Sequence, residues 1–87
     1  MVTTFVYDGR EIEVQNGLTT AHLVIDGKPF DSVKGVFKPD KDTLSGTVMG
    51  ADGQTHDVSI RLVSDDGIMW KAKCCIDGKL HDVRYLL

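Results

Sequence analysis

Three sets of side chains in this chain have the residue types that chemistry uses. Cys74 and Cys75 are its only cysteines, and His81 follows across an Asp77-Gly78 turn; an imidazole beside a thiol can take its proton and leave a nucleophilic thiolate. Glu11, His22 and Asp31 supply an acid, a ring nitrogen and a second acid, which in one row could bind a divalent cation or raise the histidine pKa. His56-Asp57-Val58 and His81-Asp82-Val83 repeat a pair that serves in proton relays elsewhere. Whether any set acts depends on the elements that hold it.

Those elements are strands. Val (10), Ile (5) and Thr (7) make up a quarter of the 87 residues, whereas Ala and Glu together supply five, a balance that favours pleated surfaces over helices. Glycine interrupts the chain so often that the longest stretch free of Gly and Pro, residues 54–66, alternates instead of repeating every 3.6 residues. Asp-Gly occurs at 8, 26, 52, 66 and 77, with Asn16-Gly17 as a sixth signal, and such pairs accept the positive φ of tight hairpin turns. Eight strands follow, at 2–7, 10–15, 18–25, 28–38, 43–50, 54–64, 68–76 and 79–87, with a polar loop at 39–42.

Turn lengths set the register. Two-residue loops at 8, 16 and 26 place Phe5 opposite Ile12, Ile12 opposite Ala21 and Leu23 opposite Phe30, all on one face. The same loop at 77 places Trp70 opposite Tyr85, Ala72 opposite Val83 and Cys74 opposite His81. Three-residue loops at 65–67 and 51–53 pair Leu62 with Trp70, Ile60 with Ala72 and Val58 with Cys74, and turn Leu44 and Val48 inward. Ile25-Asp26-Gly27-Lys28 with Asp31 recurs 51 residues later as Ile76-Asp77-Gly78-Lys79 with Asp82. The expected fold is therefore all-β: one domain over 1–87, with similar hairpin units at 1–36 and 43–87. Eight short antiparallel strands form a β-sandwich or a small closed barrel, and the fourth strand bends around Gly35 between Ser32 and Phe37.

This frame weakens the chemical readings. In the repeat, Cys74 takes the place of Leu23 and His81 that of Phe30, which are core positions, so a buried cysteine and a satisfied histidine are expected in place of a nucleophile. Adjacent cysteines on a strand point to opposite faces, which disfavours a disulfide between them. Glu11, His22 and Asp31 fall short of the ligand sets of dedicated metal centres, and charged rows commonly stabilise a solvated sheet. Each His-Asp pair is split between two faces and cannot act as a relay. No calcium loop, phosphate loop or serine elbow is present, so neither catalytic residues nor a cofactor are expected.

The strand, Gly turn and strand from Ile12-Glu13-Val14 to Val24-Ile25-Asp26-Gly27-Lys28 resemble, over residues 10–31, the β-domains of Fas apoptotic inhibitory molecules. The resemblance implies a non-enzymatic, compact β-sandwich that works by interaction.

The outer surface supports a similar expectation. In this register Cys75 faces Leu80 and Met69 faces Leu86 on the outside, with Val24 opposite Pro29 at the equivalent place in the first unit, and clustered exposed apolar groups mark contact surfaces. The leading expectation is a non-catalytic domain acting by protein contact or homodimerisation through its last hairpin. The alternative is a small-molecule-binding barrel with a pocket near Trp70, Tyr85, His81 and Cys74, where Gly46 opposite Val58 leaves room for a ring. Ten Lys and Arg against thirteen Asp and Glu leave a net charge of -3 and no expectation of a basic stripe for nucleic acid. Without an apolar run long enough to span a bilayer, or the layout of a signal peptide in the first residues, no membrane association and a cytoplasmic location are expected.

Overall fold

The computed structural model describes residues 2–17, 19–34, 43–64, 66 and 68–86. Eight strands succeed one another: β1 (Val2–Tyr7), β2 (Arg10–Asn16), β3 (Thr20–Ile25), β4 (Lys28–Lys34), β5 (Thr43–Met49), β6 (Thr55–Ser64), β7 (Trp70–Ile76) and β8 (Lys79–Leu86). They form two four-stranded antiparallel sheets in the orders β1-β2-β3-β4 and β5-β6-β7-β8, because the tight turns leave no length for a crossover. The sheets pack as a sandwich around one core that draws on both, with Phe5, Ile12 and Leu23 from the first sheet and Leu44, Ile60 and Cys74 from the second all fully buried. β1 runs beside β8 and β4 beside β5. Among the described residues no ladder joins either pair.

Side-chain hydrogen bonds join the sheets instead. Asp31 Oδ2 accepts the Ser45 amide at 2.9 Å between β4 and β5, and Asp8 Oδ2 in the β1–β2 turn accepts the Ala51 amide in the β5–β6 turn at 3.0 Å. The expected bend around Gly35 and the loop at 39–42 lie outside the described residues.

Three Asp-Gly turns are the expected two-residue loops, with both residues at positive φ: Asp8 and Gly9 (49° and 77°), Asp26 and Gly27 (50° and 77°), Asp77 and Gly78 (51° and 80°). At 51–53 a three-residue loop ends on Gly53, and Leu44 and Val48 point into the core as expected. Two other loops are longer than expected. Gly17 donates to the Thr20 carbonyl at 2.7 Å, so the turn opens to four residues and Ile12 faces Ile25 instead of Ala21. After β6, Ser64 pairs with Trp70, which moves Leu62 onto Ala72, Ile60 onto Cys74 and Val58 onto Ile76. There Asp66 Oδ1 accepts the amides of Ile68 (2.8 Å) and Met69 (2.9 Å). Each correction moves the partner by an even number of residues, so the same side chains stay inside.

Two bulges act differently. Val24 faces Pro29 but Leu23 faces Asp31, leaving Phe30 as the extra residue; Cys75 faces Leu80 but Cys74 faces Asp82, leaving His81 as the extra residue. The two irregularities lie 51 residues apart. A one-residue slip reverses every side chain beyond it. The expected pairs Leu23–Phe30, Trp70–Tyr85, Ala72–Val83 and Cys74–His81 are therefore replaced by Leu23–Asp31, Trp70–Leu86, Ala72–Arg84 and Cys74–Asp82.

Candidate functional site

The bulge in β8 rearranges the outer face of the last hairpin. With Ala72, Cys74 and Ile76 in the core, alternation turns Lys71, Lys73 and Cys75 outward, and opposite them stand Tyr85, Val83 and Leu80. Leu80 is 62% exposed and Tyr85 54%, with Met69 and Val83 also open to solvent and Cys75 half-buried. Leu86 corrects the expectation: the slip puts it opposite Trp70 at 8% exposure, inside the sandwich. In the first sheet Val24 and Pro29 do face each other on the outside, Val24 half-buried and Pro29 exposed.

The hairpin face is also basic, which the overall charge conceals. Arg61 on β6 lies directly opposite Lys73, and Lys71 is the next outward residue along β7. Its ammonium sits 5.6 Å from the centre of the Tyr85 ring.

The expected pocket does not assemble. Trp70 packs against the core, Tyr85 points outward, and His81 turns to the other sheet, where its Nε2 donates to the Val6 carbonyl at 2.7 Å. Gly46 does lie opposite Val58 and does make room for a ring, but the ring is Phe30: a β-carbon added at Gly46 would stand 3.0 Å from Phe30 Cγ and 2.9 Å from Ile25 Cδ1. Cys74 is fully buried and faces Asp82, not His81. Burial first, and the neighbouring Cys75 and Asp82 next, push its thiol up to about 12, so it stays protonated at neutral pH.

The expected row of Glu11, His22 and Asp31 does not form either. His22 faces Gln15 and Ser32, while Glu11 lies four residues along β2 beside Val6, and the Asp31 carboxylate is engaged with the amides of Ser32 and Ser45. Among the described residues no group of three or more His, Cys, Asp and Glu side chains is placed to hold a metal ion.

A polar cluster unforeseen in the sequence occupies one end of the sandwich. His56 donates from Nδ1 to Asp77 Oδ2 at 2.6 Å and from Nε2 to Asp52 Oδ2 at 3.1 Å, so its ring is gripped between the β7–β8 turn and the β5–β6 turn. The second Asp77 oxygen accepts the Asp57 amide at 2.9 Å. Tyr7 meets His56 edge-on at 5.7 Å between centres, and His81 at 5.5 Å. The ring is 16% exposed.

Hydrogen bonds to Asp77 and Asp52 raise the His56 pKa against the opposing effect of burial. His56 and the Asp57 amide hold Asp77 low, and the Gln54 amide, then His56, holds Asp52 low. Tyr7 is raised by burial and by Asp8, Asp52 and Asp77. In the protonated ring, where both nitrogens donate to carboxylates, His56 has no lone pair for a substrate or a metal. Its partner is Asp77, across the ladder, and not Asp57, its neighbour in sequence. A correct loop length after β6 would have revealed this, since it sets Asp77 beside Asp57.

Comparison of the chain with known protein families, characterised proteins and solved structures finds no match.

Proposed function

We propose that this chain is a non-catalytic cytoplasmic β-sandwich that works by contact with another protein surface through the outer face of the β7–β8 hairpin. The observation that carries the reading is the row of Leu80, Val83 and Tyr85, joined by Met69, on the strand at the edge of its sheet. Folding gains nothing from leaving them in water. An apolar patch bordered by Lys71 and Lys73 has the composition of an interface centre and its polar rim. Tyr85 is a suitable anchor, rigid and amphipathic. The paired bulges, 51 residues apart, favour descent of the two sheets from one duplicated four-stranded unit.

Oxidative footprinting tests the reading. Hydroxyl radicals should oxidise Met69 and Tyr85 readily in dilute buffer and several-fold less in concentrated extract of the producing cells, with Met49, exposed on β5, as the internal reference. Equal oxidation of Met69, Tyr85 and Met49 in both media, with light scattering unchanged by Met69→Glu plus Leu80→Lys, would sink it.

A further inference from the structure

Resting on that reading of the hairpin face, we propose that its occupant is the outer face of β1–β4 in a second copy of this chain, so that copies stack head to tail. Alternation away from Ile12 and Val14 turns Glu11 and Glu13 outward on β2. Beside them stand Val6 and Thr4 on β1, and Val24 on β3 with Pro29 beyond it. Lys34, at the far end of β4, is the one described cation facing outward on that sheet. The outer face of β5–β8 is the opposite: Arg61, Lys71 and Lys73 lie together and Asp57 sits apart near the end of β6. A chain of net charge -3 thus presents an acidic, partly apolar sheet face and a basic, partly apolar one, back to back.

Electrostatics choose between the ways two copies can meet. Two hairpin faces in a symmetric dimer would bring Arg61, Lys71 and Lys73 against the same cations of the partner, and two β1–β4 faces would oppose glutamates; only the unlike pairing puts opposite charge across the contact. Such a contact is heterologous. It leaves one free face at each end and does not stop at two copies unless the rotation closes a ring. Four strands about 4.8 Å apart and ~23 Å long cover roughly 440 Å², about half the ~800 Å² that each partner contributes to a stable complex. Each contact is therefore weak, and assembly depends on concentration.

Sedimentation velocity over about 10 μM to 1 mM covers the range that a contact of this size requires. The weight-average mass should climb past that of a dimer and fall back at about 1 M salt, where the screening length is ~3 Å. Glu11→Lys plus Glu13→Lys should be monomeric, as should Lys71→Glu plus Lys73→Glu, and an equimolar mixture of the two should recover association. Mass that stops at two, or persists in Glu11→Lys plus Glu13→Lys, overturns head-to-tail stacking in favour of a symmetric hairpin dimer. A monomer at every concentration overturns self-association altogether. If Met69 and Tyr85 are still protected in extract, only the choice of partner has failed; if they are not, the hairpin reading has failed with it. The salt response of the unaltered chain stands even if a variant fails to fold.

Discussion

His81 donates from Nε2 to the carbonyl oxygen of Val6 at 2.7 Å, tying the last strand of one sheet to the first strand of the other. Val6 sits on an edge strand one place from the pair that flanks the Asp8-Gly9 turn, so its carbonyl points away from β2 and has no ladder partner. The bulge in β8 frees His81 to reach it. Phe30, the extra residue of the matching bulge in β4, likewise crosses to the other sheet, onto Gly46. In each case one irregular residue holds a seam that no ladder closes. His81→Leu should leave the Val6 carbonyl open and speed amide exchange along β1 about three- to tenfold, the weight of one hydrogen bond. Exchange in β3 is the control. Unchanged β1 protection would mean that the tie holds nothing.

The sequence revealed its turns and concealed its bulges for a physical reason. Asp-Gly pairs announce themselves because two successive residues must take positive φ, and the loops at 8, 26 and 77 do so. The loops after Asn16 and Ser64 are longer than expected, yet an even shift keeps Ile12, Ile60 and Cys74 inside, so the core was legible despite wrong partners. Phe30 and His81 carry no residue signature of a bulge. The one-residue slip at His81 puts Tyr85 and Val83 outside and Leu86 inside. On the hairpin face Met69, Cys75 and Leu80 were legible and Tyr85 was not, because it lies beyond the slip. The grip of Asp52 and Asp77 on His56 was hidden for a related reason: Asp77 is 21 residues away and reaches the ring only in the true register.

That grip gives stability a pH dependence of known sign. Because the folded pKa of His56 is raised above its unfolded value of about 6.5, its contribution is complete below that pH and is lost as pH rises through the folded value. For Asp52 and Asp77, held low in the fold, the contribution is present above about 3.9 and is lost as pH falls through their folded values. Thermal unfolding should show a plateau between about pH 4 and 6.5, with a descending limb on each side. His56→Gln should flatten the alkaline limb. A His56 ring titrating by NMR at or below 6.5 would contradict the two-sided grip.

Gly46 offers a test of packing between the sheets. An added methyl would stand 3.0 Å from Phe30 Cγ and 3.1 Å from Phe30 Cβ, and neither atom is the free end of a flexible chain. Gly46→Ala should therefore destabilise the fold by about 1–3 kcal/mol. Phe30→Ala in the same chain should return part of that loss, since it removes the Cγ the methyl strikes. Denaturant unfolding of the two single variants and the double variant measures the coupling. Strict additivity would show that Phe30 does not lie over Gly46 in solution.

Cys74 and Cys75 are neighbours in sequence and opposites in environment. Cys74 points into the core, fully buried, with its thiol pushed up to about 12, whereas Cys75 points outward and is half-buried beside Leu80. Alkylation needs both access and thiolate, and Cys74 lacks both. Iodoacetamide at neutral pH should give a single adduct, mapped by peptide mass to Cys75, with the second appearing only at the rate of global opening or at once in denaturant. Blocking Cys75 with a bulky maleimide should leave the Cys74 rate unchanged, because the two side chains lie on opposite faces of β7. Prompt labelling of Cys74 in the native protein would mean that the sheet is not packed as described, and would reopen the nucleophile that burial removes.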